Sequence, residues 1–149
     1  MSDFTIRKCT ENDLSVIASI ENDVFSDPWK EAMLTSVLTD TNQTMLCLEA
    51  DGDVTAYLIG CSVAGESEVL RVAVKPTSRR CGFGHALMES FISERKCAKD
   101  YSIFLEVRAS NISAISLYES CGFKSYAVRR NYYKSPTEDA VMMNLELGN

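Results

Sequence analysis

Between Glu68 and Arg108 the chain changes its hydrophobic period twice, which limits the folds open to it more than any other feature. Glu68 to Val74 and Ser102 to Arg108 read as strands. Between them, Gly82 to Ala98 carries Phe83, Leu87, Phe91 and Ile92 at helical spacing, with Arg95 at the margin of the same face. A strand, a helix and a strand joined over this length make the two strands parallel neighbours in one sheet.

The flanks add antiparallel elements. Phe4 to Cys9 reads as a strand, and Thr10-Glu11-Asn12-Asp13 then offers a capping start to a helix with Leu14, Ile17, Ala18, Val24 and Phe25 on one stripe. Asp27-Pro28-Trp29 interrupts it, because proline lacks a backbone donor and disfavours helix in the preceding residue. Met33, Leu34, Val37 and Leu38 form a second short helix. The β runs Thr44 to Ala50 and Val54 to Ser62 are joined by Asp51-Gly52, a dipeptide suited to a tight hairpin, and the turn Gly65-Glu66-Ser67 leads into the third run. After Arg108 come a short helix, Ile112 to Ser120, stopped at Gly122, and the strands Phe123 to Tyr133 and Ala140 to Leu147 around the loop Lys134 to Asp139. The expectation is a mixed α+β (α/β mixed) fold over 1–149 as a single domain. Its one sheet is mostly antiparallel, with a central parallel strand pair and flanking helices.

Composition excludes several classes of function. With 149 residues, 46% of them hydrophobic, the chain can bury one ordinary core. No run approaches the ~20 apolar residues of a membrane span, and the start MSDFTIRKCTENDL lacks a signal-peptide pattern, so a cytoplasmic protein is expected. The six cysteines are scattered, with no CxxC pair and no Cys/His cluster along the sequence, so no metal is expected. A net charge of -6 argues against nucleic-acid binding and suits a basic peptide or amine as partner.

The sharpest local signal is VLRVAVKPTSRRCGFGHAL, Val69 to Leu87, where a strand runs through a basic, glycine-containing loop straight into a helix. Glycines let backbone amides approach a ligand, and a helix start adds unsatisfied N–H groups of partial positive charge, which suits a pyrophosphate. The nucleoside triphosphate P-loop fails, since His85-Ala86 follows Gly84. The dinucleotide fingerprint fails at Leu87, where its third glycine is required. On the strand IFLEVR, alternation sets Phe104, Glu106 and Arg108 on one face. Glu106 lies near the C-terminal end of a parallel strand, where such sheets bind ligands. Pattern alone leaves it either a general base or a carboxylate paired with Arg108 or another cation.

The pattern Arg79-x-x-Gly82-x-Gly84 resembles the Q/R-x-x-G-x-G/A signature of GNAT acetyltransferases. LEVRASNISAISLYESCGF, Leu105 to Phe123, is similar to the LEVRxSNxxAxxLYxxxGF block of their N-terminal acetyltransferase branch. RRNYY, Arg129 to Tyr133, followed by Glu138-Asp139-Ala140, is similar to the RimI-type enzymes in particular. The likeness is close from about Glu68 onward, and before that extends to element order and Pro28-Trp29. It implies the GNAT acyl-CoA N-acyltransferase fold and acetyl-CoA as co-substrate, with no metal.

The same resemblance implies the residue roles. Arg80, Cys81, Gly82, Phe83, Gly84 and His85 would cradle the diphosphate, with His85 standing where relatives carry arginine. Backbone groups of Val72, Ala73 and Val74 would hold the acetyl and pantetheine portion, and Asn111 would hydrogen-bond the cofactor. Glu106 becomes the general base and Tyr118 the general acid, although a tyrosine on an amphipathic helix also serves as a packing residue. Trp29, Tyr132 and Tyr133 would line the peptide entrance, where without the likeness both tyrosines merely rim a hairpin. The acceptor implied is the alanine terminus of the eighteenth protein of the small ribosomal subunit, attacked directly in a ternary complex. Two other readings stay open: a GNAT enzyme for lysine side chains or small amines, and a catalytically silent CoA-binding interaction module.

Overall fold

The computed structural model describes residues 3–148; Met1, Ser2 and Asn149 of the expected 1–149 domain lie outside the described residues. The elements are β1 (Phe4–Lys8), α1 (Leu14–Val24), α2 (Glu31–Thr39), β2 (Gln43–Ala50), β3 (Asp53–Val63), β4 (Glu66–Val74), α3 (Phe83–Cys97), β5 (Ser102–Arg108), α4 (Ile112–Ser120), β6 (Lys124–Tyr133) and β7 (Glu138–Glu146), with short 3-10 turns at Glu11–Asp13 and Pro76–Ser78. Seven strands form one sheet in the order β1-β2-β3-β4-β5-β7-β6. β4 and β5 are the parallel pair at its centre, and the other neighbours are antiparallel.

Both faces of the sheet are covered. Leu46, Leu48, Leu58, Val69 and Leu105 meet Phe83, Leu87, Phe91 and Tyr118 on the α3/α4 side. Met45, Cys47, Tyr57 and Ile59 meet Leu14, Ile17, Ile20, Leu34 and Val37 on the α1/α2 side. Alternate residues of β2 therefore enter different cores, so β2 and β3 are apolar almost throughout rather than amphipathic.

Several element ends differ from the sequence expectation by one or two residues, and three of these differences have a clear cause. The β3–β4 turn is Ala64-Gly65, at φ 54° and 84°, and Glu66 and Ser67 already belong to β4. Positive φ at both central positions is the requirement of a type I′ two-residue hairpin, and alanine at the first of them hides that signal. β7 begins at Glu138, since Tyr133↔Glu138 still pair, and β6 begins at Lys124, leaving Phe123 buried in the turn before it. The Asp51-Gly52 hairpin forms as expected, at φ 54° and 84°.

The start of α1 is held by Asp13. Its carboxylate accepts from the Thr10 backbone N–H at 2.8 Å and from both terminal nitrogens of Arg7 at 2.8 and 3.0 Å, tying β1 to the helix. The Arg7 hydrogen bonds outweigh the opposing effect of burial and hold Asp13 at about 2, below its ordinary 3.8. A lowered carboxylate pKa stabilises the fold above the ordinary value, and that contribution is lost as pH falls toward the lowered one. At ~1.4 kcal/mol per pH unit, Asp13→Asn is expected to cost roughly 2 kcal/mol at neutral pH. Urea titrations of the two proteins should show this gap at pH 7 and its progressive closure below about pH 4.

Candidate active site

The parallel pairing of β4 with β5 covers only Glu66↔Ser102 to Val69↔Leu105. At that point β4 carries a bulge. Gly60 faces Val69 and Ile59 faces Arg71, so Leu70 has no opposite number on β3. A bulge bends its strand and increases the local twist. Beyond it β4 remains paired to β3 as far as Val74, and β5 remains paired to β7 as far as Arg108↔Ala140. The two strands part, and the β4 edge from Leu70 to Val74, which includes Val72, Ala73 and Val74, has no β5 partner. Backbone donors and acceptors on such an edge must be met by water or a ligand.

The bulge also reassigns faces. Arg71 shares the side of Ile59, toward α1 and α2, while Val72 and Val74 pack toward α3 and α4. Arg71 Nη2 donates to Glu21 Oε1 at 3.1 Å and to the Asp27 carbonyl at 2.8 Å, and its guanidinium lies 3.9 Å from the Phe25 ring centroid and 5.0 Å from that of Trp29. Glu21 is fully buried and also accepts from the Trp29 backbone N–H at 2.7 Å and from the Tyr57 hydroxyl. Burial and the neighbouring Glu21 push the Tyr57 hydroxyl far above its ordinary range, so it serves as a permanent donor. Trp29 is thereby fixed against β4, where it borders a cavity of about 310 Å³ with Met33, Val37, Gln43 and Leu70.

At the other end of the notch, the loop after β4 turns through Arg80 at φ 67° and Gly82 at φ 78° into the first turn of α3. The first helical bond runs from the Ala86 N–H to the Gly82 carbonyl, so the N–H groups of Phe83, Gly84 and His85 precede it and have no helical acceptor. Nothing lies within 4 Å of where a side chain on Gly82 would begin, and Arg79, Arg80 and Cys81 are exposed. A Cβ on Gly84 would meet Leu117 at 3.2 Å, so this glycine lets α3 rest directly on α4. An open, basic helix start of this kind fits a diphosphate.

Glu106 lies on the α1/α2 side of β5, half-buried, opposite Met142 of β7. It is not paired with Arg108, which instead donates to the carbonyls of Lys134 and Pro136 at 3.0 and 2.9 Å and lies 4.5 Å from the Tyr133 ring. The cation nearest Glu106 is Arg129, at 3.9 Å. That is beyond hydrogen-bond length, which leaves the carboxylate able to accept from another donor. Interaction with the nearby Glu106 is the main cause of the raised pKa of the Tyr132 hydroxyl, and the Tyr132 and Tyr133 rings meet edge to face at 5.1 Å. Burial first, then the charge of Glu106, push Tyr133 up to about 12, against the opposing charges of Arg108 and Arg71.

Tyr118 is buried on α4 beside Phe123, and burial raises its hydroxyl well above the ordinary tyrosine value, with Tyr133 adding to the shift. Tyr133 thus feels the charge of Glu106 and itself contributes to the shift of Tyr118. Asn111 is the N-cap of α4: its Oδ1 accepts from the Ala114 N–H at 3.2 Å and from Ser113 at 3.3 Å, which leaves Nδ2 as the atom to offer a cofactor.

Sequence reasoning passed over three residues here. Glu21 falls seven after Leu14, on the apolar stripe of α1, and a carboxylate in that position was the available sign of a buried acid. Arg71 is the one charge within VLRVAV. Glu68, on β4 opposite Phe104, shares the face of Glu106, and burial together with that neighbour raises its pKa.

Comparison with known proteins gives the family. The Acetyltransferase (GNAT) family model matches residues 14–123, from the start of α1 through α4. The chain belongs to the GNAT acetyltransferase family. Over 145 residues it is 36% identical to the [ribosomal protein bS18]-alanine N-acetyltransferase of Escherichia coli (strain K12), covering 96% of this chain and 97% of that one. The crystal structure of the ribosomal-protein-S18-alanine N-acetyltransferase from Escherichia coli matches with a TM-score of 0.92 at 35% identity, covering 99% of this chain and 96% of that one. Ard1 from Thermoplasma volcanium matches with a TM-score of 0.91 at 27% identity, covering 98% and 99%. The GNAT fold expected from the sequence is thus the fold observed.

In this GNAT chain, removing one member of a buried ion pair strands the other. Glu21→Ala is expected to lower stability by about 3 kcal/mol, because Arg71 and the Tyr57 hydroxyl lose their shared acceptor. A chemical denaturation midpoint measured beside wild type checks this.

Proposed function

We propose that this GNAT enzyme transfers the acetyl group of acetyl-CoA to the α-amino group of a protein N terminus, the acceptor being the N-terminal alanine of ribosomal protein bS18. The observation that carries the reading is the notch between β4 and β5. It has Glu106 on the α1/α2 side, buried Tyr118 on the α3/α4 side, and an open basic helix start at one end. The 36% identity to the bS18-alanine enzyme over 96% of the chain supports the choice of acceptor.

The parts divide the work as follows. The segment Arg80 to His85 and the first turn of α3 hold the diphosphate, with backbone N–H groups contributing most of the binding, so the histidine at position 85 is tolerable. The free edge at Val72, Ala73 and Val74 receives the pantetheine arm and supplies an N–H to the thioester oxygen. Acetyl-CoA brings an acyl group activated as a thioester, and the Asn111 amide steadies it.

The peptide enters from the α1/α2 side between Trp29 and the Tyr132–Tyr133 pair. Glu106, directly or through water, accepts the proton that the amine nitrogen loses as its C–N bond forms. A free α-amino group has a pKa of ~7.7–8.0, so a large fraction is already neutral and an ordinary carboxylate suffices. As the C–S bond breaks, Tyr118 donates to the departing sulfur. Its raised pKa makes it a hydrogen-bond donor throughout the working range, so charge on sulfur is stabilised before proton transfer is complete.

An acidic surface of net charge -6 attracts a basic terminus, and a ribosomal acceptor places the reaction in the cytoplasm. No helix among the described residues is long and apolar enough to cross a membrane.

Acetyl transfer to three acceptors tests the proposal: the alanine-terminal bS18 peptide, the same peptide with a blocked terminus and an internal lysine, and a polyamine. The expected result is acetylation of the free terminus alone, with a rate that rises with pH and levels near ~8. A profile still climbing toward ~10 on the blocked peptide identifies a lysine enzyme instead. CoA binding without transfer to any acceptor identifies a silent module. Glu106→Gln and Tyr118→Phe should each lower kcat by roughly 10²- to 10⁴-fold while acetyl-CoA affinity changes little.

A further inference from the structure

The fold assembles a histidine, a carboxylate and a thiol that the sequence keeps apart. His85 and Glu89 are one helical turn apart on α3, and Cys121 is the residue that ends α4. His85 Nδ1 lies 3.6 Å from Cys121 Sγ, 36 positions away in the chain. One donor atom from each of the three, Glu89 included, falls within 4.8 Å of the others. We propose that His85, Glu89 and Cys121 form a binding site for a borderline-soft divalent cation of the zinc class, coordinated by one nitrogen, one oxygen and one sulfur. The proposal does not depend on the acetyl-transfer reading.

Geometry and donor chemistry support it. Zinc–sulfur and zinc–nitrogen bonds of ~2.3 and ~2.0–2.1 Å at a tetrahedral angle place the two donors about 3.6 Å apart, the separation found here. A thiolate and an imidazole select zinc-class ions over magnesium or calcium, whose preferred ligands are oxygens. The site is reachable, with the His85 and Glu89 side chains 48% and 55% exposed, and three protein ligands leave a coordination position for water. The positive end of α3 opposes a cation, but a thiolate and a carboxylate bring two negative charges to offset it. A thiol must give up its proton to bind such an ion, so affinity should rise with pH.

A second group, Cys9, Asp13 and Cys47, also places three donors within 4.8 Å, but all three residues are buried and Asp13 is already engaged by Arg7 and Thr10. It is the internal control. Fully reduced, metal-stripped protein is titrated with Zn²⁺ by calorimetry and with Cd²⁺ while the ultraviolet thiolate-to-cadmium band is followed; thermal unfolding verifies that each variant is folded. The expected result is one ion per chain in wild type, Cys81→Ser and Cys47→Ser. Binding should be at least about tenfold weaker, without the cadmium band, in Cys121→Ser, and at least about tenfold weaker in His85→Ala. An excess of Mg²⁺ should not compete. Absence of binding by wild type overturns the proposal. So does binding that survives both the Cys121→Ser and His85→Ala changes, or that disappears in Cys47→Ser.

Discussion

The separation of β4 from β5 after Val69↔Leu105 is the constraint on which the rest of the site depends. A continuous parallel pair would satisfy the β4 edge with β5 backbone and leave nothing for a ligand. The extra residue Leu70 prevents this, and it does so without weakening the sheet, because β3 holds β4 on one side and β7 holds β5 on the other. The two apolar cores are also divided by this sheet, so a gap at its centre opens toward both layers of helices. Glu106 lies on one face of this sheet and the buried phenol of Tyr118 on the other.

The charged groups around the notch are held with unequal firmness. Glu21 and Arg71 are buried together, with several further hydrogen bonds to backbone and to Tyr57, and breaking such a set is expensive. Arg129 and Glu106 lie 3.9 Å apart with the arginine more than half exposed, an arrangement worth under ~1 kcal/mol. The rigid pair positions Trp29 and the bulged strand. The loose pair leaves the Glu106 carboxylate without a tight ion pair. Arg108 belongs with the rigid set: its bonds to Lys134 and Pro136 clamp the β6–β7 hairpin onto the end of β5 and so fix Tyr132 and Tyr133.

Much of this was legible in the sequence, because it rests on local periodicity. The change of period between Glu68 and Arg108 announced the parallel pair, Pro28 separated α1 from α2, and Gly82 and Gly84 marked the helix start. What stayed hidden is nonlocal. A bulge at Leu70 leaves no trace in a run of β-branched and apolar residues, yet it alone decides which face Arg71 takes. The Glu21–Arg71 contact spans 50 positions and the His85–Cys121 contact 36, so the scattered thiols and single histidine gave no cluster to read. Asn111 could have been foreseen as a helix cap, since asparagine directly before a helical run is the ordinary signal. The family motif drew attention to a cofactor role for it instead.

The contact between α3 and α4 couples parts that the chain separates widely. Leu117 would lie 3.2 Å from any Cβ on Gly84, so a side chain there must lift α3 away from α4 or turn Leu117 aside. The next residue on α4 is Tyr118, and the next on α3 is His85. Displacing the helices by even a few tenths of an ångström would therefore move the orphan N–H groups of α3 relative to the buried phenol. In the proposed reaction the two engage opposite ends of acetyl-CoA, and misplacement on the ångström scale is enough to cost ~10²-fold in rate. Gly84 thus acts through packing rather than through φ, whereas Gly82, at φ 78° with open space before it, acts through backbone conformation and access. Two glycines that look interchangeable in the motif are required for different physical reasons.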